Sequence, residues 1–327
     1  MKPIIIALFN NKGGVGKTTV AYHLAHMFPR IGYPTLAVDI DPQANLTSAF
    51  FDEEFLSERL ENPKGGETIY SCIEPIMEGT GDIEEPQPIN VADGVFVLNG
   101  DLRLSLFEDK LSDAWPRNYE GDMSALRATT SFYRIMLKCA EKCGAKIILV
   151  DVGPNLGAIN RAVMLSVDYL ILPLAVNLFS LQGLRNLGPK ICDWRKYWET
   201  ICSRYPNPAI PIPSGRMEPI GYVILQHAMR LDRPVLSYER WLKRIPNEYR
   251  SSVLSELLGE ETIPSDPNCL ATLRHYRSLM PMAHDARKPV FDLQPADGAI
   301  GGHGKLVTTA RDEFKTLSEN IIRRIKE

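Results

Sequence analysis

Residues 10–19 read Asn-Asn-Lys-Gly-Gly-Val-Gly-Lys-Thr-Thr. Three glycines, two lysines and two hydroxyls in so short a stretch suit one kind of chemistry, the holding of a polyphosphate. Gly13, Gly14 and Gly16, with Val15 between them, let successive backbone N–H groups turn inward on an anion where a Cβ would intrude. A helix opening near Lys17 adds the positive end of its dipole. Lys17 then reaches the β- and γ-phosphate oxygens, the hydroxyl of Thr18 is the expected Mg²⁺ ligand, and Thr19 is a further phosphate contact. The phosphate-loop pattern G-x-x-x-x-G-K-[ST] is met only in its second half. Asn11 stands where the first glycine belongs, and an extra lysine, Lys12, precedes the glycine pair. A chance glycine turn does not explain the stretch, because it follows an apolar strand pattern and opens a helical one.

Carboxylates recur at two other places. In "AVDIDPQANLTSAF", residues 37–50, Asp39 and Asp41 are spaced by two, so an extended backbone points both to one side. Helix capping by Asp41 or Asn45 is the alternative reading. Asp151 closes the apolar run "AKIILVD", a common position for a carboxylate that holds a Mg²⁺-bound water in phosphoryl transfer. Other pairings carry less. His23 and His26 have no Cys or carboxylate at ligand spacing and read as packing residues. Cys139 and Cys143, four apart, read as one face of a helix, and Ser180 and Ser278 lack a nearby His-and-acid pattern.

The elements that must position these residues follow from the alternation of short β-rich runs with helical stretches. Strands are expected at Ile4 to Phe9, Thr35 to Val38, Gly94 to Leu98, Lys146 to Val150, Tyr169 to Leu172 and Tyr222 to Leu225. This is the pattern of an α/β fold, a doubly wound, mostly parallel sheet with helices on both faces. The motif residues then fall at the carboxyl ends of strands, where ligands bind in such sheets. Residues 1–327 read as a single domain with an acidic elaboration at about 51–122. That segment carries 18 acidic and 5 basic side chains, against a net charge of -3 for the whole chain. "YPNPAIPIPSGRMEP", residues 205–219, reads as a loop. The C-terminal stripe Leu306, Ala310, Phe314, Leu317, Ile321 and Ile325 reads as a helix docked on the body. No apolar run approaches the ~18 residues of a membrane span, and "PIIIALF" lacks a cleavage site, so a cytoplasmic protein with its six cysteines reduced is expected.

"KGGVGKTT" is similar to the deviant Walker A motif of the ParA/MinD family of P-loop ATPases, and is closest to the ParA-like partition ATPases. "DIDPQAN" resembles that family's switch I. "AKIILVDVGPNLGAINRAVMLSVDYLILPLAVNLFSLQGL", residues 145–184, resembles its Walker B strand, switch II and following elements, with Gly153 where the family usually has proline. The stretch 285–305 looks like its terminal loop. The resemblance implies a slow ATPase using ATP and Mg²⁺. Lys12 would reach the phosphates of a partner subunit in an ATP-bound homodimer. Asp41 would polarise the attacking water, so that Lys12, Lys17 and Asp41 carry catalysis, while Thr18, Asp39 and Asp151 serve the metal. It further implies nonspecific DNA binding and association with the nucleoid in the ATP state, turnover stimulated by a ParB-like or other adaptor protein, and no stable membrane association. The candidate DNA contacts are Arg216, Arg230, Arg233, Arg274, Arg277, Arg323 and Arg324, acting on the backbone and not on bases. The resemblance also leaves open a MinD-like membrane-cycling ATPase, a metabolic P-loop enzyme, or an ATP-switched interaction module of a defence or mobile-element system.

Overall fold

Apolar side chains alternate along the central strands and so divide between two cores. Ile5, Ala7 and Phe9 face one layer of helices, while Ile6 and Leu8 face the other. The computed structural model describes residues 2–61, 64–225, 235–263, 265–276 and 278–327. Along the chain run β1 (Ile4–Leu8), α1 (Lys17–Arg30), β2 (Thr35–Asp39), α2 (Asn45–Phe50), α3 (Glu53–Glu61) and α4 (Ile69–Glu78). They are followed by β3 (Ile89–Ala92), β4 (Val95–Leu98), α5 (Phe107–Arg117), α6 (Met123–Thr129), α7 (Ser131–Cys143) and β5 (Ile147–Asp151). Next come α8 (Ala158–Ser166), β6 (Tyr169–Ala175), α9 (Leu178–Cys202) and β7 (Glu218–Leu225). The described chain closes with α10 (Val235–Leu242), α11 (Ile245–Glu248), β8 (Cys269–Leu273), α12 (Leu279–Ala286) and α13 (Gly302–Lys326).

The described strands form one sheet in the order β3-β4-β2-β5-β1-β6-β7-β8, parallel except where β3 meets β4. The doubly wound expectation holds: α1 and α13 supply one core, and α4, α5 and α7 to α9 supply the other. The stripe on α13 buries Ala310, Phe314, Leu317 and Ile321 fully, with Leu306 and Ile325 partly covered. Among the described residues no helix is long and apolar enough to cross a membrane. All six cysteines are free thiols.

Several boundaries differ from those expected. β6 runs through Pro173 to Ala175 instead of stopping at Leu172. The missing N–H does no harm there, because pairing with β1 ends at Ile171, and the Pro173 carbonyl accepts from Asn10 Nδ2 at 2.6 Å. β7 begins at Glu218, inside the stretch expected to be a loop, and its register shifts around Gly221. Two short edge strands, β3 and β8, were not anticipated. The acidic stretch also contains α3 and α4 and contributes β3 and β4 to the sheet. Many of its carboxylates are held by cations, with Asp82 on Arg134 at 2.7 Å and Glu85 on Lys138 at 2.7 Å.

Candidate functional site

β1 ends at the centre of the sheet and releases the chain into the glycine loop, which turns directly into α1. Gly14 and Gly16 adopt positive φ, 69° and 91°, where a side chain would be strained. At Gly16 a Cβ would also lie 2.9 Å from Leu225 Cδ1. Gly13 and Gly14 are exposed, whereas Val15 is buried beneath the loop. Lys17 is only 7% exposed, and burial lowers its pKa, opposed by the charges of Asp151 and Asp41. Thr19 is half-buried, and its carbonyl accepts from His23.

Asp39 and Asp151 are register partners on adjacent strands β2 and β5, so both carboxylates project on the α1 side of the sheet. Thr18 Oγ1 donates to Asp151 Oδ2 at 2.6 Å. The other oxygen, Asp151 Oδ1, is buried and has no hydrogen-bond partner among the described residues. Burial, reinforced by the nearby Asp39 charge, pushes the Asp151 carboxyl upward. Asp39 is also raised by burial, but its oxygens are occupied: Oδ1 accepts from the Asp41 N–H at 3.2 Å, and Oδ2 accepts from the Thr47 N–H and hydroxyl at 2.8 and 2.7 Å. Thr47 Oγ1 in turn accepts from the Gly100 N–H at 2.7 Å. Asp41 forms a local turn, accepting from the Gln43 N–H at 3.0 Å, and does not cap α2, whose N-terminus has no side-chain cap.

Among the described residues no group of three or more His, Cys, Asp or Glu is arranged to hold a metal ion. The donors do fit a Mg²⁺ that keeps most of its shell as water and phosphate: one hydroxyl, and one carboxylate with a free buried oxygen. Asp39, fully engaged by other donors, is placed to hold this arrangement. Lys12 does not join the cluster. Its N–H donates to Asn10 Oδ1 at 3.0 Å, and its ammonium stands 5.2 Å from the centroid of the exposed Phe179 ring at the start of α9. Beside the loop opens a cavity of about 240 Å³ whose lining includes Thr18, Thr19, Tyr22, Asn45 and Met280.

Of the arginines considered for DNA, the four described ones, Arg216, Arg274, Arg323 and Arg324, are not brought together as one patch. Arg216 is paired with Glu218 and donates to the Tyr169 hydroxyl at 2.9 Å, near the amino ends of the strands. Arg324 reaches Asn268 at 2.9 Å and the Ile220 carbonyl, at the same end as Arg216, while Arg323 donates to Asn320. Arg274 follows β8 and pairs with Glu313 at 2.6 Å. Arg230, Arg233 and Arg277 lie outside the described residues. His23 is a core residue, as expected: Val290 N–H donates to its Nε2 at 3.0 Å, so its Nδ1 donates to the Thr19 carbonyl at 2.7 Å. Ser278 does meet a histidine, His303, at 3.1 Å, through a contact distant in sequence. Among the described residues the Nδ1 of His303 has no partner, and no acid completes a triad.

Thr47, Gly100 and Glu108 were not anticipated. Glu108, on α5, accepts the Ala158 and Ile159 N–H groups at 2.5 and 2.9 Å and so caps α8, whose own N-terminal residues supply no side-chain cap. The only local signal was a bare glycine at the start of α8.

Comparison with known proteins agrees with this geometry. The AAA domain family matches residues 3–201. An uncharacterized protein of Methanocaldococcus jannaschii is 27% identical over 66% of this chain and 78% of its own. The chromosome partitioning protein ParA of Caulobacter vibrioides is 26% identical over 56% of this chain and 60% of its own, so under two thirds of that relative is matched. A crystal structure of a protein from Corynebacterium diphtheriae superposes with a TM-score of 0.73, at 23% identity over 98% of both chains. A putative plasmid partition protein of Borrelia burgdorferi, bound to AMPPNP, gives 0.59 at 18% identity over 98% of this chain and 99% of its own. The chain belongs to the AAA domain family, as a P-loop ATPase of the ParA/MinD type.

Proposed function

We propose that this protein is a ParA-like ATPase that hydrolyses ATP slowly to ADP and phosphate, dimerises around bound ATP, and in that state holds nonspecific DNA to position or segregate DNA or another cargo. The observation that carries the reading is the convergence of Lys17, Thr18 and the orphaned Asp151 oxygen beneath a loop whose glycines leave its N–H groups free to face an anion. The loop binds the triphosphate, and Lys17, held near Asp151 and Asp41, presents its charge to the β- and γ-phosphates. Thr18 and Asp151 would hold a Mg²⁺, which when bound would supply positive charge against that developing on the phosphates. Asp41, at the edge of the cluster, orients the attacking water, and Asp39 fixes the Asp41 backbone N–H.

Lys12 lies outside its own phosphate site, an arrangement that supports action on a second subunit. Leaving Phe179 for the partner's triphosphate ties dimer formation to the γ-phosphate. An adaptor protein, ParB-like in the simplest case, would stimulate turnover and release the dimer. The test is DNA binding by the Asp41→Ala protein with Mg²⁺, ATP against ADP, at low and moderate salt. Binding only with ATP, weakened by salt, is expected. Dimerisation without DNA binding in either nucleotide would sink the DNA-tethering part.

A further inference from the structure

The loop between β5 and α8 carries Asp151 at its start and Gly153 beside Asp41, and what fixes its far end comes from elsewhere in the sequence. A Cβ built on Gly153 would lie 3.5 Å from Asp41 Oδ1, so this loop is in contact with the residue assigned to the attacking water. Asn160, buried on the first turn of α8, donates its amide to the carbonyls of Gly153 and Asn155 at 2.8 and 2.7 Å. The position of α8 therefore sets the position of the loop. In turn, α8 is fastened by α5. Glu108 takes its first two free N–H groups, Gly157 leaves room for that carboxylate where a Cβ would lie 2.5 Å from Glu108 Oε1, and the Arg161 guanidinium stacks 4.1 Å over Trp115.

We propose that Glu108 is a positioning residue for phosphoryl transfer: by anchoring the N-terminus of α8 it holds residues 152–157 against Asp41, acting through Asn160. This gives the acidic segment a defined task, because α5 is part of it. A charged cap at a helix start is favoured by both the free N–H groups and the helix dipole, and here it acts over 50 residues of sequence. Gly153 makes the loop depend on such an external hold, since glycine restricts its own backbone least.

The inference rests on the ATPase reading for its kinetic readout, and amide hydrogen exchange supplies a readout that does not. In full-length Glu108→Ala, exchange across 153–160 should rise. ATP turnover should fall about fivefold in kcat with KM for ATP within about twofold, the loss of one helix cap expressed in the transition state. Glu108→Gln, which keeps one neutral acceptor, should fall between the two, and it carries the same measurements if the alanine variant does not fold. Unchanged kcat with a lowered melting temperature would overturn the proposal, leaving only a structural cap. A raised KM at constant kcat would overturn it as well. If the wild-type protein turns over no ATP, the ATPase reading fails, and unchanged exchange at 153–160 in Glu108→Ala would then overturn the positioning role independently.

Discussion

Thr47→Val exchanges a hydroxyl for a methyl of almost the same volume at a buried crossing of two hydrogen bonds. The hydroxyl donates to Asp39 Oδ2 at 2.7 Å and accepts from the Gly100 N–H at 2.7 Å, in a residue 3% exposed. Losing a bond to a carboxylate costs about 1.5–3 kcal/mol, and leaving a buried N–H unsatisfied costs about 1–3 kcal/mol. Both losses fall in one network and do not simply add, so roughly 3 kcal/mol of destabilisation is expected. Relaxation around the site is limited, because a Cβ at Gly100 would already lie 2.9 Å from Asp39 Cγ. At about 2 °C or less per kcal/mol for a chain of 327 residues, the melting temperature should fall by about 4–6 °C. Urea denaturation of Thr47→Val beside Thr47→Ser measures the free-energy loss, and a thermal melt the shift in melting temperature. The serine keeps both hydrogen bonds and should lose only about 1 kcal/mol, for its missing methyl. Val within about 1 kcal/mol of wild type, or Ser below Val, would refute the assignment of Thr47 as the support of Asp39.

Three further outcomes follow from the same geometry. Gly16→Ala forces a side chain into φ 91° against Leu225; it should abolish binding of a fluorescent ATP analogue and cost about 1–3 kcal/mol of stability. Thr18→Val deprives Asp151 of its 2.6 Å donor, so Mg²⁺ should no longer strengthen nucleotide binding, as titrations with and without the ion would report. His23 is buried and His26 largely covered, and burial depresses both to about 4. The unfolded chain binds their protons first, so the stability they contribute is complete above pH 6.5 and is lost as pH falls toward 4, by about 3 kcal/mol per histidine. Urea midpoints across this range should decline less steeply in His26→Leu; an identical slope would argue against burial of the neutral ring.

Much of the scaffold was legible because its signals are local. Ile4 to Phe9 followed by Gly-Gly-Val-Gly-Lys states a buried strand, an anion turn and a helix start within fifteen residues. Asp39 and Asp151 each close an apolar run, and strand pairing then makes them neighbours. What escaped the sequence depends on partners far along the chain. Pro173 and Pro219 read as strand breakers, yet each falls where the sheet tolerates proline, and only strand order reveals that. Thr47 and Gly100 support Asp39 across 53 residues. Glu108 looked like one acid among many until it met α8. The arginine set has the opposite history: candidates that seemed alike in sequence are, where described, divided between opposite ends of the sheet and have polar or charged partners.

Sedimentation of the Asp41→Ala protein in Mg²⁺, with ATP or ADP and with or without Lys12→Ala, addresses the dimer switch most directly. The expected result is a dimer with ATP, a monomer with ADP, and a monomer in both nucleotides once Lys12 is removed. A monomer in ATP despite tight nucleotide binding, or a Lys12→Ala protein that dimerises as well as its parent, would contradict it.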